Sequence, residues 1–224
     1  MIKAKVFIKG PPYYDMTKTT FERLGGGKYE VTKDFDAADI ICWTGGEDIH
    51  PAIYGEKPLN GTYYDKRRDI SDLECVDKAV KQKKFLVGIC RGAQLLNCVP
   101  NGGKLWQDVD GHSGVHPVFD CLTGTWKVTN SVHHQMMIPG EFAELLAWAK
   151  TCNHRWSDGK EWKKPKTDNP LERDKDVEAL WYPATQSLLV QFHPEFSHPP
   201  TTAYFWELMD AYYWGRQAKL EATG

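Results

Sequence analysis

The stretch FLVGICRGAQ, residues 85–94, decides the fold because a strand, a sharp turn and the start of a helix follow one another within it. Its first five residues form an unbroken apolar run, which is typical of a strand buried in a parallel sheet. The helix-period segment Arg91–Val99 comes next, with Cys90 at the junction. Gly88 and Gly92 stand two positions before and after this cysteine, where a nucleophile elbow requires small residues for steric reasons. The stretch therefore predicts a cysteine side chain displayed at the carboxyl edge of a sheet.

This position favours a reactive thiolate at Cys90. The backbone amide of Arg91 and the amino-terminal end of the helix both stabilise negative charge. They would stabilise the thiolate and supply one half of an oxyanion hole. The alternative is an ordinary buried thiol, since free cysteine is among the residue types most often buried. The strand–turn–helix context and the paired glycines favour a catalytic cysteine.

Strands and helices alternate around this stretch, which indicates an α/β protein with a largely parallel sheet. Asp39–Thr44 predicts a second buried strand, and Ser71–Lys84 predicts a helix in which Ser71 and Glu74 have capping-box spacing. Two segments, Asn60–Asp69 and the insertion Cys152–Asp176, are expected to be irregular. Other strands are predicted at Lys5–Lys9, Trp126–Asn130, Phe142–Lys150, Val177–Trp181 and Leu188–Phe192, and a closing helix from Thr201 to about Glu221 with Tyr204, Leu208, Ala211 and Tyr212 as its buried stripe.

Composition excludes several classes of protein. Of the 224 residues 41% are hydrophobic, which is enough for a core and argues against a disordered chain. The 28 basic and 30 acidic residues nearly balance, which argues against general nucleic-acid or membrane-surface binding. No apolar run approaches the roughly 20 residues of a membrane span, and six scattered cysteines without a CxxC pair indicate reduced thiols. We therefore expect one soluble, cytoplasmic domain over residues 1–224, with no nucleic-acid or membrane partner.

Near the carboxyl end, QFHPE (residues 191–195) places a histidine and a carboxylate two residues apart at the end of an apolar strand. Residues two apart in an extended backbone face the same way, so His193 and Glu195 can act together. A cysteine nucleophile needs a base and a group that orients the base, and this pair could supply both. Taken alone, His193 would be a surface residue before a proline turn. Combined with Cys90, it predicts a catalytic base.

The glycine pair Gly45–Gly46 follows the predicted strand Asp39–Thr44. Ligands bind at the carboxyl ends of strands in open α/β sheets, and glycine lets backbone amides approach a ligand closely. Gly46 is therefore the candidate for the second oxyanion donor. A plain tight turn is the alternative interpretation.

Three blocks of the chain resemble the signature segments of class I glutamine amidotransferases: Gly88–Gln94, SVHHQ at Ser131–Gln135, and Gln191–Glu195. The stretch GGEDIHPAIYGE (Gly45–Glu56) is more narrowly similar to the γ-glutamyl hydrolase branch, peptidase C26, which cleaves γ-glutamyl amines and peptides. The matching segments run from Ile41 to about Ser197. The fold expected of such a protein is a flavodoxin-like three-layer α/β sandwich, with a mostly parallel sheet that carries the nucleophile elbow and a smaller antiparallel portion.

The resemblance implies roles for individual residues. It implies a Cys-His-Glu triad of Cys90, His193 and Glu195, and an oxyanion hole from the amides of Gly46 and Arg91. It also implies substrate contacts by the residues Gly45, Gln94, Ser131, Val132 and His133. The short segment between Lys9 and Asp39 and the long insertion Cys152–Asp176 depart from the family's pattern, so the chemistry is better supported than the substrate.

The remaining polar residues suggest weaker hypotheses. His112 and His116 could line the pocket, but surface-loop histidines are more common, and His133 and His134 suit the pocket or its surroundings. No pair has the spacing of a structural zinc site, so we expect neither a metal nor an organic cofactor. The cluster Arg67–Asp69 is most simply a solvated approach to a helix, and the resemblance leaves a role facing the pocket as the alternative.

Three functions remain open at this stage. The first is hydrolysis of a small γ-glutamyl amide, glutamine or a γ-glutamyl amine or peptide, through a thioester on Cys90. The second is a glutaminase subunit that passes ammonia to a synthase on another chain. The third is a non-catalytic binding protein on the same fold, against which the filled triad positions argue.

Overall fold

The computed structural model of the chain describes residues 3–157, 160–163 and 175–223. The strands are β1 (Ala4–Lys9), β2 (Tyr29–Val31), β3 (Ile40–Trp43), β4 (Phe85–Ile89), β5 (Lys104–Trp106), β6 (Asp108–Val109), β7 (Ser113–Asp120), β8 (Thr125–Val132), β9 (Met136–Ile138), β10 (Glu144–Ala149), β11 (His154–Ser157), β12 (Lys160–Lys163), β13 (Asp176–Tyr182) and β14 (Ser187–Val190). The helices are α1 (Tyr14–Thr19), α2 (Lys66–Lys81), α3 (Arg91–Cys98), α4 (Pro199–Met209) and α5 (Gly215–Thr223).

A nine-stranded sheet in the order β2-β1-β3-β4-β14-β13-β10-β7-β8 forms the centre of the molecule. The five strands from β2 to β14 are parallel to one another. The pairings from β14 through β8 are antiparallel. The expected mixed α/β fold is confirmed, with the parallel strands on one side of the sheet and the antiparallel strands on the other.

In the parallel strands, successive hydrophobic residues point to opposite faces of the sheet. Ile41 and Trp43 of β3 pack with α2 and α3, in a cluster that includes Val76 and Leu95. Ile40 and Cys42 point to the opposite face and belong to the cluster formed with α4. Because successive residues of a strand face opposite ways, these fully apolar strands require helices on both faces, which gives the three-layer sandwich.

Helix α2 begins five residues earlier than the capping-box spacing predicts. Its N-cap is Asp65, whose carboxylate accepts hydrogen bonds from the amides of Arg67 and Arg68. The expectation that Asn60–Asp69 is irregular is therefore wrong for its last four residues. The helix begins after Asp65 rather than at Ser71 because the Asp65 side chain accepts hydrogen bonds from two backbone amides that would otherwise lack partners.

The closing helix contains a π-helical segment, Asp210–Trp214, between α4 and α5. Tyr204 and Leu208 are buried as predicted, but the buried residue in the next turn is Tyr213, whereas Ala211 is exposed. A π-turn inserts one extra residue into a helix, which shifts the buried face by one position.

The insertion Cys152–Asp176 is partly regular, contrary to expectation. Strands β11 and β12 form an antiparallel hairpin, and β11 pairs with β6 on its other edge. Residues 158–159 and 164–174 of the insertion lie outside the described residues. Among the helices that the structure describes, none has the length and apolarity needed to cross a bilayer.

Candidate active site

Three neighbouring parallel strands bring the predicted catalytic residues to one edge of the sheet. Strand β4 lies between β3 and β14, with Gly88 beside Trp43 and Ile89 beside Val190. The segments that follow these strands therefore meet where the strands end. We call this place the catalytic edge: the loop Gly45–Gly46, Cys90, and the pair His193 and Glu195.

The nucleophile elbow has the geometry that the sequence predicts. Cys90 has φ of 50° and ψ of −108°, and α3 begins at the next residue. A Cβ atom on Gly88 would lie 2.6 Å from Cα and N of Ala93, and one on Gly92 would collide with the carbonyl oxygen of Trp43. Only glycine fits at these two positions, so strand, turn and helix can pack this closely. Positive φ at a non-glycine residue is a strained conformation that is typical of functional sites.

The imidazole of His193 is positioned for proton transfer. Its Nδ1 lies 2.8 Å from Oε1 of Glu195, and both side chains are buried. Burial lowers the pKa of His193, but the Cys90 side chain and the Glu195 carboxylate outweigh burial and raise that pKa to about 10. The structure therefore brings the three predicted triad residues together, and it favours an imidazolium at neutral pH.

Asn130 and Phe196 fix the position of His193, and the sequence analysis missed both. The Asn130 side chain accepts a hydrogen bond from the His193 amide and donates one to the His193 carbonyl, each at 2.8 Å. The Phe196 ring stacks on the imidazole at 4.3 Å between centroids with an angle of 8°. Asn130 directly precedes the SVHHQ block, but nothing in the sequence pairs it with His193.

The Arg91 side chain points away from the catalytic edge, which leaves its backbone amide at the start of α3. Its guanidinium donates to Asp72 and Asp69, both at 2.6 Å, and all three side chains are almost fully buried. The ion pairs anchor the first turn of α3 to α2. Asp69 was expected to be solvated, and that expectation is wrong because the carboxylate is the partner of a buried arginine.

The Arg68 side chain holds the predicted oxyanion loop, Gly45–Gly46, in place through hydrogen bonds. Its Nη2 donates to the carbonyl oxygen of Gly45 at 2.7 Å, and its Nη1 donates to Glu47 at 2.8 Å. Gly46 has φ of +136°, and a Cβ atom there would collide with the guanidinium. A Cβ atom on Gly45 would lie 2.8 Å from Cε1 of His193. Glycine is thus required at both positions, and the prediction of a solvated side chain is wrong for Arg68 but right for the exposed Arg67.

The residues implied as substrate contacts do not form one surface. Gln94 is buried and donates to the carbonyl of Gln135, and the Ser131 hydroxyl donates to the carbonyl of His112. The His133 side chain is buried, whereas Val132 is 60% exposed on the other face of β8. Gln94, Ser131 and His133 are therefore buried inside the protein. Val132 could contact a substrate bound near them only through its backbone.

A cavity of about 370 Å³ adjoins the oxyanion loop. Gly10, Pro12, Glu47 and Arg68 are among its lining residues. Its volume lies within the range of small-molecule binding sites, and its lining carries both charges.

The other five cysteines have environments that favour the neutral thiol. Burial raises the pKa of Cys42 well above its ordinary value, and it raises the pKa values of Cys75 and Cys152 to about 11. It raises the pKa values of Cys98 and Cys121 as well. Cys90 is the cysteine that lies beside His193.

Comparison with known proteins places this geometry in a family. Residues 26–195 match the sequence model of a family described as Peptidase C26. Protein NtpR of Enterococcus hirae is 39% identical over 187 residues, which cover 73% of this chain and 69% of that protein.

Two further similarities agree with this match. A Mycobacterium tuberculosis protein named "Putative glutamine amidotransferase" is 32% identical over 193 residues, 83% of this chain, and the chain spans 60% of that relative's length. A solved structure of a glutamine amidotransferase from Thermotoga maritima is similar to the fold with a TM-score of 0.59 at 11% identity, covering 98% of this chain and 86% of that one.

Proposed function

We propose that this chain, which belongs to the peptidase C26 family, hydrolyses the amide bond of a small γ-glutamyl compound with Cys90 as the nucleophile. One observation carries the proposal: a strained cysteine on a nucleophile elbow lies beside a buried His193–Glu195 pair at the ends of adjacent strands. The substrates that fit are glutamine and γ-glutamyl amines or peptides.

The first half of the reaction forms a thioester. The Cys90 thiolate attacks the side-chain carbonyl carbon of the γ-glutamyl group, and the carbonyl π electrons move onto oxygen. As the tetrahedral intermediate collapses, the carbon–nitrogen bond breaks and the imidazolium of His193 gives its proton to the leaving nitrogen. Ammonia or an amine departs, and the γ-glutamyl group remains on sulfur.

The second half releases the acyl group. Neutral His193 takes a proton from water, and the resulting hydroxide attacks the thioester carbon. The carbon–sulfur bond then breaks, which releases glutamate and regenerates the Cys90 thiolate beside an imidazolium. Water supplies both the oxygen and the proton, so the cycle closes without another reactant.

The oxyanion of each tetrahedral intermediate would be stabilised by backbone amides. Gly46 and Arg91 follow the neighbouring strands β3 and β4, which supports their assignment as the two donors. Each such donor contributes about 3–4 kcal/mol to transition-state stabilisation in comparable enzymes. Arg68 and the Arg91 ion pairs hold these two segments in place, while Glu195 fixes the orientation of the His193 ring.

The test is a substrate panel with a matched pair of cysteine variants. Purified protein is assayed for glutamate release from glutamine, γ-glutamyl amines and γ-glutamyl peptides, alongside Cys90→Ala and Cys121→Ala. Cys121 is exposed and distant from the catalytic edge in the sheet order. We expect at least one substrate to turn over in wild type and Cys121→Ala, and none in Cys90→Ala.

The panel also separates the proposal from its alternatives. Equal losses in the two variants would contradict the assignment of Cys90. Glutaminase activity that appears only after a synthase chain is added would favour the ammonia-delivering subunit. A folded wild-type protein that binds γ-glutamyl compounds but turns none over would favour the binding protein.

A further inference from the structure

We infer that the protein binds a divalent transition-metal ion, of which zinc is the best match, at a buried site formed by His112, His116 and Glu178, with His133 beside it. We call these four residues the histidine cluster. The cluster lies behind the catalytic edge, and the inference does not depend on the proposed hydrolysis.

The cluster's polar atoms are spaced as metal ligands are. Oε1 of Glu178 lies 3.1 Å from Nδ1 of His112, 3.4 Å from Nε2 of His116 and 3.9 Å from Nε2 of His133. One ligand atom from each of His112, His116 and Glu178 lies within 4.8 Å of the others. Ligands at about 2.0–2.1 Å in a tetrahedral zinc site are about 3.3 Å apart, so small shifts would close this group around one ion.

These atoms are poorly hydrogen-bonded although they are buried. Among the described residues, Nδ1 of His112, Nε2 of His116, Nε2 of His133 and both oxygens of Glu178 make no hydrogen bond of good geometry, and the shortest approach among them is the 3.1 Å between Nδ1 of His112 and Oε1 of Glu178. The four side chains are 0%, 6%, 1% and 0% exposed, respectively. A buried polar atom without a partner costs about 1–3 kcal/mol, and a charged one costs more. A single cation at the centre would satisfy all of these atoms together.

The opposite ring nitrogens are held in the way that metal-binding histidines require. Nδ1 of His133 lies 2.9 Å from the carbonyl oxygen of Gln135, and Nε2 of His112 lies 3.1 Å from the Thr151 hydroxyl. A carbonyl can only accept, so the proton of neutral His133 is on Nδ1 and the lone pair of Nε2 faces Glu178. Two acceptors then face each other, and a cation between them removes the conflict.

The donor set selects the class of metal. Imidazole nitrogens with one carboxylate suit zinc and its neighbours in the first transition row, whereas magnesium and calcium prefer oxygen ligands. Three of these side chains lie within ligand spacing of one another, and His133 would have to move toward them to complete a closed four-ligand site. The ion would join β7, the end of β8 and β13.

This position links the site to the catalytic edge. The carbonyl of Glu178 accepts a hydrogen bond at 2.8 Å from the amide of Gln191, two residues before His193. The His133–Gln135 segment, which Gln94 also contacts, would be held by the ion. Metal binding would therefore stabilise the segment that contains His133, one of the implied substrate contacts.

Metal content is the direct test, and it does not depend on activity. Untagged protein is stripped with a strong chelator, dialysed against a small excess of Zn²⁺ or Co²⁺, desalted and analysed by mass spectrometry for metal per chain. We expect about one equivalent in wild type, and loss of affinity of about tenfold or more in His116→Gln and Glu178→Gln. His154→Gln is the control, because His154 is a partly exposed histidine outside the cluster, and it should retain one equivalent.

The ligands are identified on wild type alone, so a variant that fails to fold does not obscure the result. X-ray absorption of the zinc-loaded protein should show nitrogen and oxygen neighbours at about 2.0–2.1 Å and no sulfur. Uptake well below one equivalent would show that a shared proton, not a metal, balances Glu178. Sulfur neighbours, or variants that retain wild-type affinity, would also overturn the inference.

Discussion

The catalytic edge and the histidine cluster both gather buried titratable groups, but the two regions satisfy these groups differently. At the catalytic edge, His193 has Glu195 at 2.8 Å on one ring nitrogen and Cys90 as its other neighbour, and Asn130 binds its backbone. In the histidine cluster, three ring nitrogens and a carboxylate converge without hydrogen bonds of good geometry within the described chain. The first arrangement suits proton transfer, whereas the second is the place where we propose a central ion.

Removing the base should have the largest effect and should be confined to chemistry. His193→Gln keeps a polar side chain but cannot donate or accept the proton that acyl transfer requires. We expect kcat to fall by about 10³–10⁴-fold, measured as glutamate release under saturating substrate. Metal uptake by the histidine cluster should stay at the wild-type value, and a variant with near-normal kcat would contradict the role of His193.

Removing the ion pairs of Arg91 should lower the stability of the folded protein rather than act on the chemistry alone. Arg91→Met leaves the buried carboxylates of Asp69 and Asp72 without their shared cation. We expect the free energy of unfolding to drop by about 3–5 kcal/mol, measured by urea denaturation. Arg67→Met is the control, because Arg67 is an exposed residue in the first turn of α2, the helix that carries Asp69 and Asp72. Equal midpoints for the two variants would show that the ion pairs do not stabilise the elbow.

The sequence predicted the residues of the catalytic edge but not the residues that hold them in place. The first group is set by local sequence patterns, whereas the second contacts partners that are distant in the sequence. Gly88, Cys90 and Gly92 are constrained by a turn within five residues, and His193 and Glu195 by the alternation of one strand. Arg68, Arg91 and Asn130 act on partners that are distant in the sequence. Local patterns do not specify such pairs, since strand order and helix packing choose them.

The same reasoning explains the histidine cluster. His112 and His116 are four residues apart, and four is an even spacing that places both on one face of an extended strand. The glycine-rich surroundings of the two histidines favoured a surface loop, whereas their even spacing fits a strand with both side chains on one face. Their partner Glu178 is on β13, in a different part of the sheet. Only the folded sheet brings these residues together.

The pH dependence of hydrolysis should report the His193–Glu195 pair. The pKa of His193 is raised to about 10, so the imidazolium that protonates the leaving group persists through neutral pH and is lost as pH rises through about 10. The rate of acylation should fall over that range. Glu195→Gln removes a carboxylate that raises this pKa, so the alkaline limb should move to lower pH and kcat/KM should drop by up to about 10⁴-fold. An unmoved limb would show that Glu195 does not act on His193.

Metal binding should give the smallest effect, on thermal stability. An ion at 100 times its Kd stabilises the folded chain by about 2.7 kcal/mol, which raises the Tm of a chain of this size by roughly 5–10 °C. We expect this increase with Zn²⁺ in wild type and His154→Gln, and not in Glu178→Gln. Magnesium at the same concentration should leave Tm unchanged. The same rise in Glu178→Gln would assign the stabilising ion to another site.

Covalent labelling of Cys90 tests the proposed nucleophile most directly. Wild-type protein is incubated with an electrophilic glutamine analogue, and the adduct is located by peptide mass spectrometry, with Cys90→Ala in parallel. The account predicts one adduct per chain, on Cys90, and none in the variant. No adduct on Cys90 in folded wild-type protein, or an adduct on another cysteine at the same rate, would contradict the claim that the catalytic edge performs acyl transfer.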